Sequence, residues 1–147
     1  MKVLQIALLL IVAALAADTV RAQSSEISLF GRDGSAVAYI ADDLTIYLWS
    51  GVPVAYLEAD RSGGFHIYGF NGKHLGWYVS GVVRDHRGRA VGARKEAFSS
   101  AVKFEPFKAF KQFKPFKAFK EFAPLRPIFT NAWSQVYLDE FLMQGKA

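Results

Sequence analysis

Apolar, small and aromatic residues recur in a fixed order around four glycines in the middle of the chain. Each unit has an apolar and an aromatic residue before its glycine, and an apolar, a small and an aromatic residue after it. The four glycines, spaced 17, 21 and 16 residues apart, are Gly34, Gly51, Gly72 and Gly88. β-Branched and aromatic residues on both sides of a glycine turn are typical of a β-hairpin. The pattern therefore predicts four successive β-hairpins, or eight short strands, in residues 27–94.

The residues around these glycines also predict how the hairpins turn and pack. Asp-Gly at Gly34 and Asn-Gly at Gly72 are typical of two-residue turns in which both residues have a positive φ angle. The small residue beside each second aromatic residue lets a neighbouring backbone or ring approach closely, so we expect the aromatic side chains to converge on a shared centre. The last unit is irregular, with Arg84 and Ala93 in its two aromatic positions. One hairpin alone is marginally stable in water, so the four are expected to pack as one all-β array.

The third unit and a later short run carry a resemblance to a known family. The third unit is Ile67-Tyr68-Gly69-Phe70-Asn71-Gly72-Lys73-His74-Leu75-Gly76-Trp77-Tyr78, and the later run is Ile128-Phe129-Thr130-Asn131-Ala132-Trp133-Ser134. With its order of hairpins and this tail, the chain resembles the four-fold β-flower domain, a family of small exported bacterial proteins of unknown function. The resemblance implies a pseudo-fourfold array of hairpins, and it implies no catalytic or binding residue.

A strict period of three residues runs through positions 104–124. Phe occupies positions 104, 107, 110, 113, 116, 119 and 122, and Lys follows it at positions 108, 111, 114, 117 and 120. Proline recurs every nine residues, at Pro106, Pro115 and Pro124. Proline breaks an α-helix and a strand has period two, whereas polyproline II has three residues per turn and needs no main-chain hydrogen bonds. The segment therefore predicts an extended strap over residues 98–129, with one Phe edge and one Lys edge.

The sequence leaves two roles open for this strap. As a structural strap, it would pack its Phe edge on the β domain and leave its Lys edge in solvent, since seven exposed phenylalanines would be a liability. As a binding segment, it would attach to an anionic surface such as lipid headgroups or an envelope polysaccharide. The candidate binding residues are then Lys108, Lys111, Lys114, Lys117 and Lys120. Nucleic acid, a third partner for alternating basic and aromatic residues, is disfavoured by the predicted export of the protein.

The start of the chain predicts this export. A basic Lys2, a run from Val3 to Ala17 that is apolar except for Gln5, and small residues before Gln23 are typical of a secretory signal peptide, here residues 1–22. The apolar run would reach about 22 Å as a helix, which is short of the ~30 Å hydrocarbon core of a membrane. Cleavage after residue 22 would leave a mature protein that is periplasmic, envelope-associated or secreted.

The end of the chain predicts a short helix. Trp133, Tyr137 and Phe141 follow one another at intervals of four residues, which is typical of an amphipathic helix over about residues 132–143. The chain then divides into a signal peptide (1–22), a four-hairpin β domain (23–97), the Phe/Lys/Pro-rich strap (98–129) and a C-terminal helix and tail (130–147).

The charged and titratable residues limit the kinds of functional site that the chain is expected to have. The chain of 147 residues has no cysteine and a net charge of +5, and residues 103–126 carry seven basic and two acidic side chains. All of the net positive charge therefore belongs to the strap. The histidines, His66, His74 and His86, do not show the spacing of metal ligands, and no nucleophile motif or phosphate-binding glycine loop is present. We therefore expect no catalytic residues, no metal site and no cofactor.

These features predict an exported, non-enzymatic protein. The first hypothesis is a structural or binding module at the cell envelope that acts through its cationic aromatic strap. The alternative is a small-ligand or glycan-binding β module that exposes aromatic side chains of the hairpins on one face. Its candidate residues are Tyr47, Tyr68 and Trp77, with Tyr39 and Tyr56 beside them.

Overall fold

β-Branched and aromatic residues build short strands throughout the middle of the chain. The computed structural model describes residues 25–98 and 101–147, so the predicted signal peptide lies outside the described residues. Within these residues the strands are β1 (Ile27–Phe30), β2 (Ala36–Ile40), β3 (Thr45–Leu48), β4 (Pro53–Ala59), β5 (Phe65–Gly69), β6 (His74–Val79), β7 (Val82–Arg84) and β8 (Ala90–Ala93). One 3-10 turn (Lys95–Ala97) and one short helix, α1 (Leu138–Met143), follow them.

The strands form a closed antiparallel barrel in chain order. Each strand pairs with the next, and β8 returns to β1 through the pair Phe30 and Ala93. Each of the four hairpins has one register shift at the same position, directly after the apolar residue that precedes its turn. These four residues, all fully buried, are Leu29, Ile46, Ile67 and Val83. The prediction of an all-β fold with four successive hairpins is therefore confirmed.

The hairpin turns differ from the predicted type. At the second hairpin, the Gly51 N–H donates to the Leu48 carbonyl and the Leu48 N–H donates to the Val52 carbonyl, both at 2.8 Å. Gly51 has a φ of +87°, but Leu44 and Ser80 are the only described non-glycine residues with positive φ. Each turn is thus a type I turn closed by a glycine bulge. The two-residue turn with two positive φ angles occurs instead between β6 and β7, at Ser80 and Gly81.

The helix α1 closes the barrel at the end where the hairpins turn. Leu138, Phe141 and Leu142 belong to the same buried cluster as the inward-facing strand residues. The small strand residues make room for this helix, since a Cβ at Gly92 would lie 2.7 Å from Leu138 Cδ2 and one at Gly76 would lie 3.1 Å from Phe141 Cζ. The expectation that the aromatic side chains converge on a shared centre is therefore wrong.

The C-terminal helix is shorter than predicted because the preceding residues pair with the barrel. Trp133 forms a parallel bridge with Ala90, and the Ser134 N–H donates to the Ala90 carbonyl at 2.7 Å. The Arg32 guanidinium donates to the Ser134 carbonyl at 3.3 Å. These bonds hold residues 133 and 134 in an extended conformation. Within the described part of the chain, no helix has the length and apolar character needed to cross a membrane.

Candidate functional site: the strap and the barrel beneath it

The strap follows the four hairpin turns, one after another. The described strap residues form no helix or strand, but four main-chain N–H groups spaced nine residues apart donate to the carbonyls of the four turn glycines. These bonds are Lys103 to Gly34 at 2.8 Å, Gln112 to Gly51 at 2.9 Å, Glu121 to Gly72 at 2.9 Å, and Thr130, directly after the strap, to Gly88 at 3.0 Å. The strap therefore repeats every nine residues in step with the pseudo-fourfold barrel, and the nine-residue spacing of its prolines is the sequence signal of this repeat.

Further bonds fix which side of the strap faces the barrel. The Ala109 N–H donates to the Trp49 carbonyl at 3.1 Å, and the Ala118 N–H donates to the Phe70 carbonyl at 2.9 Å. With Gln112 and Glu121, these donors occupy the third position of the Phe-Lys-x triplet. The third edge of the strap therefore faces the turns, which leaves the Phe and Lys edges to point elsewhere.

The Lys edge folds back onto the outer face of the barrel. The ion pairs are Lys108 with Glu26 at 2.8 Å, Lys111 with Glu26 at 2.5 Å, Lys114 with Asp43 at 2.5 Å, and Lys120 with Glu58 at 2.5 Å. Lys117 lies over the Tyr56 ring, with its Nζ 4.1 Å from the ring centre. The hydrogen bond from Lys114 is the largest cause that lowers the pKa of Asp43, to about 2. Carboxylates and tyrosine rings on the barrel thus pair with the lysines, while the side chains of Lys111, Lys114 and Lys120 remain between 41% and 45% exposed to solvent.

The tyrosines lie in stacked pairs between neighbouring hairpins, on the outer face of the barrel. Tyr39 and Tyr47 have ring centres 5.6 Å apart, and Tyr56 and Tyr68 have ring centres 6.2 Å apart. The strap covers both pairs, and burial raises the pKa of Tyr39, Tyr56 and Tyr68. Tyr47 and Tyr68 each retain 5% exposure and Trp77 retains none. The predicted exposed aromatic face is therefore wrong, because strap lysines lie over Tyr47 and Tyr68 and three histidine rings lie against Trp77.

The Phe edge points away from both the turns and the barrel. Its side chains are between 88% and 103% exposed, with no exception from the first to the last. They are Phe104, Phe107, Phe110, Phe113, Phe116, Phe119 and Phe122, followed at the same spacing by Leu125 and Ile128. The prediction that the Phe edge packs on the β domain is wrong, because the main chain and the lysines already occupy that surface. We call these nine side chains the outer edge of the strap.

A chain of histidines lies beneath the strap at the third hairpin, and sequence reasoning missed it. The Nδ1 atom of His66 lies 3.0 Å from Nε2 of His74, and Nδ1 of His74 lies 3.0 Å from Nε2 of His86. The chain continues from His66 to Asp60 at 3.6 Å, and Arg126 of the strap pairs with Asp60 at 2.6 Å. The cross-strand register of β5 and β6, which the sequence alone does not determine, brings His66 and His74 together.

This arrangement is a hydrogen-bonded chain rather than a metal centre. His74 contacts one imidazole through each of its ring nitrogens, so the three rings do not point at a common centre. Among the described residues, no group of three His, Cys, Asp or Glu side chains could hold a metal ion. The main-chain N–H of His74 donates to the Glu121 carboxylate at 2.6 Å, which ties the chain to the strap.

Comparison with known proteins agrees with this architecture. The family model described as 4-fold beta flower protein matches residues 27–142. The match spans the barrel, the strap and most of α1, so the chain belongs to this family. No curated protein and no solved structure matches the chain.

Proposed function

We propose that this 4-fold β-flower protein is an exported, non-enzymatic binding module of the cell envelope, and that it binds through the outer edge of the strap. One observation carries the proposal: nine large apolar side chains stand in an unbroken row, each at least 88% exposed. An exposed apolar surface of this extent marks an interaction site in a soluble protein, since it otherwise promotes aggregation. The signal peptide predicted for residues 1–22 supports a place of action outside the cytoplasm.

The way the strap is held supports a binding role over a purely structural one. Main-chain hydrogen bonds and ion pairs fasten the strap to the barrel, and none of them involves the side chains of the outer edge. A strap that served only to brace the barrel could carry polar side chains at these positions. The strap is bonded to the barrel without a partner present, so a partner does not need to supply these bonds.

Fractionation of cells that export the full chain tests this proposal. In a triple-Phe variant, Phe107, Phe113 and Phe116 are replaced by Ser, because neither the side chains nor the main-chain groups of these residues bond to the barrel. The control variant carries Ala109→Ser and Ala118→Ser, which add hydroxyl groups on the edge that faces the turns. We expect the wild type and the control in the envelope fraction and the triple-Phe variant in the soluble exported fraction. Equal distribution of all three proteins would contradict the proposal.

A further inference from the structure

The outer edge of the strap surrounds one end of the molecule. The strap follows the four hairpin turns, and in an up-and-down barrel these turns all lie at the same end. The nine apolar side chains therefore lie around the rim of that end. A partner that contacts many of them at once must extend along that end of the molecule.

The charges on the strap are already balanced by the barrel. Residues 103–126 carry a net charge of +5, with seven basic and two acidic side chains. The barrel-side carboxylates that pair with these basic residues are Glu26, Asp33, Asp43, Glu58 and Asp60. Five carboxylates thus offset the whole net charge of the strap. An acidic polymer or an anionic headgroup would compete with these carboxylates at every basic residue of the segment except Lys117, which lies over the Tyr56 ring.

The outer edge is chemically uniform. Seven of its nine residues are Phe and the other two are Leu and Ile, without a polar side chain among them. A specific protein interface combines apolar anchors with placed polar groups and a complementary shape. The outer edge has no placed polar groups and no distinctive shape, so it suits a partner that has no fixed shape of its own.

We infer that the occupant of the outer edge is a lipid bilayer interface, into which the rings insert while the barrel stays outside. This inference rests on the proposed function and names its partner. The strap main chain has many N–H and C=O groups outside any helix or strand, so it would stay at the hydrated headgroup level while only side chains enter the apolar layer. Binding is then apolar in origin, and its strength depends little on salt or on lipid charge.

Vesicle binding tests the inference with the protein purified after export. Cosedimentation is measured with vesicles of phosphatidylcholine alone and with vesicles that also contain phosphatidylglycerol, each at about 20 mM and about 500 mM NaCl. We expect the wild type to bind both kinds of vesicle with affinities within about threefold of each other at either salt concentration. Each inserted ring is worth about tenfold in partitioning or more, so the triple-Phe variant should bind about a thousandfold more weakly if all three rings insert. The Ala109→Ser, Ala118→Ser control should bind as the wild type does.

Three outcomes would overturn the inference. Binding only to vesicles with phosphatidylglycerol, lost at high salt, would show recognition of headgroups by basic residues. No binding to either vesicle, with release of the triple-Phe variant from the envelope fraction, would leave the proposed function standing and assign the edge to a protein partner. An oligomer that the triple-Phe substitution converts to a monomer would assign the edge to a second copy of the chain. Unchanged melting temperature of the triple-Phe variant confirms in each case that the barrel is intact.

Discussion

His74 shows at the residue scale how a polar side chain is held neutral at the outer face of the barrel. It is almost completely buried, and each ring nitrogen contacts another imidazole. The charged or titratable groups that face it are His66, His86, Asp60 and the Glu121 carboxylate of the strap. Burial is the largest cause that lowers the pKa of His74, to about 4, and the neighbouring imidazoles add to it. The side chain is therefore uncharged in the folded protein at neutral pH.

We predict that the folded protein loses stability as the pH falls from about 6.5 to about 4 because of His74. In the unfolded chain His74 takes up a proton near pH 6.5, whereas in the folded protein it stays neutral until about pH 4. Protons therefore bind the unfolded state preferentially across this range. The effect amounts to about 3 kcal/mol in the free energy of unfolding. Urea denaturation at a series of pH values measures it.

Two substitutions distinguish the contribution of His74 to this pH dependence from the contributions of other titrating groups. His74→Gln should remove most of the dependence between these pH values, while His86→Gln should retain much of it, because burial is the largest cause of the lowered pKa. The pKa of Asp43 is lowered from 3.8 to about 2. The stability that this carboxylate contributes is therefore lost only below about pH 3.8, which lies outside the range of His74. If His74→Gln unfolds with the same pH dependence as the wild type, another group is responsible.

At the scale of elements, each nine-residue repeat of the strap meets one hairpin turn, although the turns themselves are unevenly spaced in the sequence. The turn glycines lie 17, 21 and 16 residues apart, whereas the strap donors lie nine residues apart. The longest spacing arises because β4 has seven residues and a glycine turn at 60–64 follows it. That turn lies at the opposite end of the barrel, so it does not disturb the contacts with the strap.

Gly51 is predicted to be essential for the fit between strap and hairpin, and Gly63 provides the matched control. Both have positive φ, +87° at Gly51 and +98° at Gly63. A Cβ at Gly51 would collide with the Phe110 carbonyl of the strap, whereas one at Gly63 would meet nothing within 4 Å. Alanine therefore strains the backbone at both positions but displaces the strap only at Gly51.

The expected difference between these variants is the loss of the local strap bonds. Gly51→Ala should lower the free energy of unfolding by about 1 to 3 kcal/mol more than Gly63→Ala, because two main-chain hydrogen bonds are disturbed. Amide exchange should become faster at Gln112 and Ala109 in Gly51→Ala and stay unchanged in Gly63→Ala. Equal stability losses and equal exchange in the two variants would mean that the strap does not depend on this glycine.

The hairpins were predictable from the sequence, and their turn type was not. Alternating strand residues and turn glycines fix the number and order of the hairpins, since both are local signals. Asp-Gly and Asn-Gly, however, also fit a type I turn with a glycine bulge, and the Oδ1 atoms of Asp33 and Asn71 accept main-chain N–H groups two residues ahead. The two turns give the hairpin different registers, so the choice between them depends on which register places the apolar side chains in the core of the whole barrel.

The orientation of the strap was not predictable for a different reason. The rule that large apolar side chains are buried assumes that the neighbouring surface is apolar. The surface beneath the strap instead presents tyrosine rings and carboxylates, for example Tyr39 and Glu26 at Lys108. These groups lie far from the strap in sequence and become neighbours only once the barrel closes. The start of the C-terminal helix was predicted several residues before its actual start for the same reason, since Ala90 pairs with the residues that precede α1.

At the scale of the molecule, the described residues form a barrel whose one end is covered by the strap and by α1. After β8 closes the barrel against β1, the strap runs along the turns and α1 enters the same end. The Asn71 side chain donates to the Gln144 carbonyl at 2.7 Å, and the Asn71 N–H donates to the Gly145 carbonyl at 3.2 Å. The last residues of the chain are thus bound to a hairpin turn, and the strap is held at both of its ends.

Phe141 is the residue through which this arrangement can be tested. Its ring belongs to the barrel core and is 4% exposed, whereas Met143 of the same helix is 42% exposed. Phe141→Ala should lower the free energy of unfolding by about 3 to 5 kcal/mol, and Met143→Ala by less than about 1 kcal/mol. Because the residues after the strap connect Thr130 to α1, amide exchange in Phe141→Ala should become faster at Thr130 before it does at Gln112. If Phe141→Ala does not fold, Phe141→Leu provides a milder change, and uniform exchange along the strap in that variant would contradict the prediction.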